Sequence, residues 1–115
     1  MQYLLMIYSE EAAMQSYSET KIGELVAAYG AYAEAMNKAG ILVGSNRLRP
    51  TSDATTVRVA DGKTQVLNGP YAETREQLGG YFLVDVPNLD AALSWASRCP
   101  GAGYGTMEVR PIWVM

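Results

Sequence analysis

The chain has 115 residues, 49% of them hydrophobic and 18% charged, which is the composition of one globular domain rather than of a disordered segment. Nine lysines and arginines stand against twelve aspartates and glutamates, so the net charge is -3 and no basic patch for nucleic acid is expected. The chain contains no histidine, which excludes a Ser-His-Asp triad, a Cys-His pair and every imidazole metal site.

Cysteine usage and the start of the chain bear on compartment and cofactors. Cys99 is the single cysteine, so no intramolecular disulfide can form and a reducing compartment is indicated. The first residues lack the cationic region and apolar length of a signal peptide, and no run reaches the length of a membrane span. We therefore expect a cytoplasmic protein without a membrane segment, a metal or another cofactor. Any acid or base would be a carboxylate, a tyrosine or a lysine.

The first third of the chain predicts a strand followed by a long helix. Gln2 to Tyr8 form a continuous apolar run that is too short for a helix and typical of a strand buried on both faces. Ser16 with Glu19 fits a capping box, with Ser18 as a competing cap. Gly40 is a natural terminator of the helix. The residues expected to face the core are Ile22, Leu25, Val26, Tyr29, Ala33 and Met36.

The middle of the chain predicts a short strand over residues 41–45 and then a β-hairpin. Asp61 and Gly62 favour the positive φ angles of a two-residue hairpin turn. The register that this turn imposes pairs Val57 with Val66 and Val59 with Thr64.

The last third predicts a second strand-helix-strand unit. From Gly79 to Val86 the chain alternates, with Tyr81, Leu83 and Asp85 on one face of the strand. Asn88 is a good helix cap, and Leu89, Ala92, Leu93 and Ala96 are expected to face inward. Residues 101–105 are expected to form a flexible loop before the last strand.

This element order predicts a single α+β domain over residues 1–115. Two helices crossing a mainly antiparallel sheet, with an inserted hairpin, give a ferredoxin-like fold with both helices on one face. The first strand is apolar on both sides, so the opposite face of the sheet needs a cover. A second subunit is the simplest cover, and we expect a homodimer.

The stretch "NGPYAETREQLGGYFLVDVPNLDAALSWASRCP", together with the later "EVRP", closely resembles the DGPF-domain proteins of the YCII-related family. The similarity spans nearly the whole chain, with Asn68, Tyr71 and Arg75 as mild departures from the family motif. It implies a dimeric α+β barrel. It names no reaction, although some relatives are linked to extracytoplasmic-function sigma factors.

The resemblance also removes one expected source of activity. Related YCII proteins carry a histidine on the first helix and an aspartate before the proline after the second, and both have been suggested as catalytic. The nearest positions here hold Tyr29 and Cys99. A buried, structural role is the better interpretation of Cys99, because no histidine is present to activate its thiol.

Strand alternation suggests a candidate site. Tyr81 and Asp85 share one face of their strand, and Glu108 and Arg110 share one face of the last strand. If these faces coincide, tyrosine, carboxylates and arginine would line a barrel, with Asp85, Tyr81 and Glu108 as catalytic groups and Arg110 as an anion ligand. The alternative is a structural salt bridge between Glu108 and Arg110, with Asp85 solvated at the end of its strand.

Residues 68–77 are interpreted as a rim over the pocket mouth. Ala72 to Leu78 favour one or two helical turns, in which Glu73 would reach Gln77. Glu73 and Arg75 are the predicted substrate-binding residues of this rim.

Two functional hypotheses follow. The first is a cofactor-free lyase or isomerase that acts on a small polar molecule. The alternative is a non-catalytic ligand-binding or regulatory module, for example a partner in an extracytoplasmic-function sigma factor system.

Overall fold

The computed structural model describes residues 1–115 and contains six strands and four helices. A single 3₁₀ turn, Thr51–Asp53, precedes the hairpin. In chain order the elements are β1 (Gln2–Ser9), α1 (Glu11–Gln15), α2 (Glu19–Lys38), β2 (Leu42–Arg47), β3 (Thr55–Ala60), β4 (Lys63–Asn68), β5 (Gln77–Asp85), α3 (Leu89–Arg98), α4 (Gly101–Tyr104) and β6 (Thr106–Pro111).

Four strands form the main sheet in the order β2-β5-β1-β6, and every neighbouring pair is antiparallel. This arrangement confirms the predicted α+β, ferredoxin-like fold. The inserted strands β3 and β4 pair only with each other and make a separate two-stranded sheet.

The helices cover one face of the main sheet, as predicted, and we call it the helix-bearing face. One cluster joins side chains of β1 and β5 to side chains of α2 and α3. Its members include Tyr3, Leu5, Ile7, Phe82, Val84, Tyr32, Met36, Ala92 and Ala96. The other side carries Leu4, Met6 and Leu83 and bears none of the helices that form the core cluster, and we call it the open face.

Helix α2 differs from prediction at its start and along its buried stripe. Ser18, not Ser16, caps the helix, because the Ser18 hydroxyl accepts a hydrogen bond from the Lys21 amide. Val26 is 58% exposed, whereas Tyr32, which was not predicted, is buried and donates a 2.7 Å hydrogen bond to the Trp95 carbonyl. The helix therefore packs on the sheet chiefly through its second half.

In the second half of the chain, the structure differs from the prediction in two details. Asn88 caps α3 as predicted, and Ala92 and Ala96 are buried, but Leu89 and Leu93 remain exposed. Residues 101–104 form the short helix α4 instead of a flexible loop.

The hairpin has the predicted turn and register. Asp61 and Gly62 have φ angles of 52° and 74°, and Val57 lies opposite Val66. Its valine face is uncovered, since Val57, Val59 and Val66 are all more than 60% exposed. An isolated two-stranded hairpin is marginally stable in water, so this element lacks the packing partner that it needs.

The overall shape shows how much surface the chain leaves uncovered. The radius of gyration is 16.1 Å, whereas a compact chain of this length would have about 13 Å. The molecule is also thin, with extents of 48, 44 and 18 Å. The hairpin valines are therefore an exposed apolar surface, and the open face, whose apolar side chains are partly or fully buried, carries no layer of helices.

Candidate functional site

The registers of β1, β5 and β6 place three of the predicted site residues close together on the open face. Met6 pairs with Tyr81 on one side and with Glu108 on the other. Leu4 pairs with Leu83 in the same way, and its other neighbour is Arg110. Two strand spacings separate Tyr81 from Glu108, or about 10 Å between their Cα atoms.

Tyr8 is a member of this group that the sequence interpretation missed. It follows Met6 on the same face of β1 and lies opposite Leu78 and Thr106. Burial is the main cause that raises the pKa of the Tyr8 phenol, the charge and hydrogen bond of Glu108 add to it, and Arg110 opposes it. Alternation along β1 could have identified Tyr8, because Leu4, Met6 and Tyr8 recur at every second residue.

Glu108 and Arg110 do not form the structural salt bridge that was the alternative prediction. Four ion pairs are present in the chain, and neither residue takes part in any of them. Both side chains are exposed on the open face. The arginine is therefore not neutralised by the nearest carboxylate and is accessible to an anion.

Asp85 and Tyr81 occupy different parts of the open face. The Asp85 carboxylate lies at the end of β5, where it pairs with the N-terminal ammonium group at 3.0 Å. The Tyr81 hydroxyl accepts a 2.8 Å hydrogen bond from the Asn46 amide on β2. Asp85 thus lies four residues along β5 from Tyr81, and its charge is paired with the N-terminus and not with Arg110.

The segment before β5 is irregular, so the predicted helical turns over residues 72–78 are wrong. Gln77 cannot belong to a helical turn, because it is the first residue of β5. Its side chain is also held by hydrogen bonds to residues other than Glu73. The Gln77 amide donates to the Thr74 carbonyl and its oxygen accepts from the Glu11 amide. Glu73 is exposed. Its side chain makes no hydrogen bond to Gln77, because the side chain of Gln77 is bonded to Thr74 and Glu11 instead.

Arg75 lies at a polar surface groove beside the open face. Its guanidinium pairs with Glu10, and this hydrogen bond raises the pKa of Arg75. The groove has a volume of about 600 Å³, and Tyr8 and Thr106 form its sheet side. Glu76 accepts a 2.7 Å hydrogen bond from the Thr106 hydroxyl. The segment thus adjoins the open face at Tyr8, two residues beyond Met6.

A second group of ionisable side chains lies on the helix-bearing side. The Tyr29 and Tyr104 hydroxyls are 2.7 Å apart, and Cys99 is buried beside them, as predicted. Burial is the largest cause that raises the pKa of both tyrosines and of the Cys99 thiol. The raised pKa keeps the thiol protonated at neutral pH and makes it a poor nucleophile.

These tyrosines should make the protein sensitive to alkali. The unfolded chain releases phenol protons near the ordinary pKa of 10.0, whereas burial makes folded Tyr29 retain its proton. The free energy of unfolding should therefore be fully present below pH 10 and should fall as the pH rises above it. Urea unfolding at increasing pH measures this slope. Tyr29→Phe should flatten it and Tyr71→Phe, at an 80% exposed position, should not; equal slopes in all three proteins would contradict the assignment.

Two comparisons relate this chain to known proteins. The family model described as YCII-related domain matches residues 1–115. An uncharacterised protein of Rhizobium meliloti (strain 1021) is 36% identical over 114 residues, which cover 97% of this chain and 92% of that protein. None of the helices has both the length and the apolar character needed to cross a membrane.

Proposed function

The chain belongs to the YCII-related domain family, and we propose that it works as a cytoplasmic homodimer that holds a small polar anion between two open faces. The observation that carries this proposal is the arrangement of Tyr81, Met6 and Glu108 in one row, with Arg110 beside them. In this arrangement one unpaired cation shares a face of the sheet with a carboxylate on its own strand and with a phenol two strands away.

The distribution of apolar side chains on the open face supports pairing of two copies. Leu4 and Leu83 are directly opposite each other, and both are only partly buried within the chain. A two-layer molecule 18 Å thick gains a third and fourth layer when a second copy packs sheet to sheet. The polar side chains of β6 would then line the margin of an apolar contact instead of facing bulk water.

Arg110 supports an anionic ligand. A guanidinium group offers several donors in one plane and binds a carboxylate with two parallel hydrogen bonds. Glu108 lies two residues away on the same face, about 7 Å along the strand. A small molecule that carries a carboxylate and a hydroxyl or carbonyl group would contact both residues at once.

The reaction that suits these groups is a proton transfer without a cofactor, as in a lyase or an isomerase. Glu108 is the proposed base, because it is the carboxylate that shares a face with both Tyr81 and Arg110. Tyr81 is the proposed acid, held in place by Asn46. Asp85 is the proposed support at the far end of the face, and Glu73 and Arg75 are the proposed polar rim, of which Arg75 lies in the groove beside Tyr8.

A thermal-shift screen of small hydroxy and keto carboxylates tests the binding site. Compounds that raise the melting temperature of the unmodified protein should lose that effect in Arg110→Gln. Arg58→Gln, which removes an exposed arginine of the separate hairpin, should keep it. A hit that stabilises all three proteins equally would contradict the assignment of Arg110.

Proton exchange in D₂O separates catalysis from binding. If the protein is a lyase or isomerase, NMR should show loss of the proton signal next to the carbonyl of a confirmed hit. Glu108→Gln should slow the rate of that exchange by a factor of about 10² to 10⁴. The hit should still raise the melting temperature of this variant. Binding without exchange in the unmodified protein would favour the non-catalytic module.

The hairpin favours a second candidate function, that of a regulatory module. An exposed apolar surface is the feature that a macromolecular partner would use, and Val57, Val59 and Val66 provide one. A component of an extracytoplasmic-function sigma factor system is the partner class for this alternative. Val57→Lys should abolish such an association and leave ligand binding at Arg110 unchanged; loss of both would tie the hairpin to the homodimer instead.

A further inference from the structure

A cleft lies on the helix-bearing side of the sheet, on the opposite side from the open face. Its volume is about 520 Å³, within the range of pockets that hold drug-sized molecules. Ile7 and Phe82 form its floor, with Gly79 and Gly80 beside them. A methyl group on Gly80 would come within 2.8 Å of the Asn46 carbonyl oxygen. The backbones of β2 and β5 are therefore close together here, and no side chain of Gly79 or Gly80 fills the cleft.

The roof of the cleft is the first half of α2, where apolar side chains face an empty space instead of the sheet. Ile22, Leu25 and Val26 all line it. The second half of the helix reaches the sheet through Tyr32 and Met36, which are buried. An apolar helical surface held away from an apolar floor is unfavourable in water and is suited to an apolar guest.

Arg47 gives the cleft a positive charge at one end. It is the last residue of β2 and pairs with Gly80, which places it on the helix-bearing side. It takes part in none of the ion pairs of the chain. Its charge acts on the Tyr104 hydroxyl, which also lines the cleft. An unneutralised guanidinium beside a phenol hydroxyl is a suitable site for a carboxylate.

Glu11 is the only carboxylate that lines the cleft, and it forms no ion pair with Arg47. Both oxygens of Glu11 are occupied, because they accept hydrogen bonds from the amide and the hydroxyl of Thr51. Ser9 is 6% exposed, and its hydroxyl donates only to the thioether sulfur of Met14, a weak acceptor. A buried hydroxyl in this state can form a better hydrogen bond with a guest.

We propose that this cleft is a second binding site, and that it takes an apolar monocarboxylate whose hydrocarbon part lies under Ile22, Leu25 and Val26 and whose carboxylate binds Arg47. The inference does not depend on the small polar anion proposed for the open face. The two sites lie on opposite sides of the sheet. Both suit anions, but the open face suits a small polar one and the cleft suits one with a long hydrocarbon part.

Titration of isotopically labelled protein with octanoate tests this assignment. Saturable amide shifts should appear at Ile7, Gly79 and Gly80. Arg47→Gln should weaken octanoate by about tenfold, the effect of losing one charge-assisted hydrogen bond. The affinity of Arg47→Lys for octanoate should lie between those of the unmodified protein and Arg47→Gln. Arg58→Gln should bind octanoate as tightly as the unmodified protein. The neutral probe 1-octanol should bind less tightly than octanoate and be indifferent to Arg47→Gln.

Two further arms fix the location and the charge preference. Val26→Trp, which fills the roof from a position that is already 58% exposed, should block both octanoate and 1-octanol. Octylammonium should bind least. The assignment is overturned if octanoate gives no saturable shifts, if Arg47→Gln binds it unchanged, or if octylammonium binds equally well. Shifts confined to Leu4, Met6 and Leu83 would place octanoate on the open face and would also overturn it. So would shifts confined to the hairpin that accompany an increase in the mass of the protein.

Discussion

Replacing Leu83 with glutamate should convert a dimer of about twice 12.5 kDa into a monomer. Leu83 is at the centre of the open face, directly opposite Leu4, so the new carboxylate would be trapped between two apolar surfaces. An uncompensated buried charge costs about 3 kcal/mol or more, which weakens association at least a hundredfold. Light scattering after gel filtration at micromolar concentration measures the change in mass.

Leu93→Glu is the matched control for this experiment. Leu93 is an exposed leucine on α3, so the same change of side chain occurs away from the open face. It should leave the mass unchanged. If the unmodified protein is already a monomer, or if both variants dissociate alike, the open face is not the contact between copies.

The second large effect is expected at Gly105, where replacement by alanine should destabilise the fold by about 3 kcal/mol. A Cβ atom at this position would lie 2.1 Å from the backbone oxygen of Tyr8. A backbone carbonyl cannot move aside as a side chain does, so β6 would have to shift relative to β1. Urea unfolding should show a lower midpoint with an unchanged slope.

Gly103→Ala provides the control, because it lies in the same short stretch and its added Cβ would meet nothing within 4 Å. Its free energy of unfolding should change by less than about 1 kcal/mol. Equal stability of the two variants would show that β6 accommodates the added methyl group at Gly105.

The fold was largely predictable because its determinants are local and periodic. The alternation of β5 and the Asp61-Gly62 turn fixed the strand faces and the hairpin register. The central site residues were predictable for the same reason, since alternation along β5 and β6 placed Tyr81 with Glu108 and Arg110 once the strand order was known.

The errors arose where tertiary contacts override local preference. Residues 72–78 have helical propensity, yet Gln77 gains more by joining β5 and bonding to Glu11 and Thr74. The stripe of α2 was assigned from spacing alone, and spacing carries no information about where a helix leaves the sheet. The exposed Val26 and the buried Tyr32 both follow from that departure. The cleft below Val26 was unpredictable for the same reason.

The most direct test of the proposed homodimer is an isotope-filtered NOE experiment on a mixture of labelled and unlabelled protein. The proposed assembly predicts intermolecular NOEs that connect the methyl groups of Leu4, Met6 and Leu83 in one copy with those residues in the other. Two results would contradict it. One is a mass of one chain, without such NOEs, even at the concentration of the NMR sample. The other is a mass of two chains without such NOEs. Intermolecular NOEs confined to Val57, Val59 and Val66 would place the contact on the hairpin and contradict it as well.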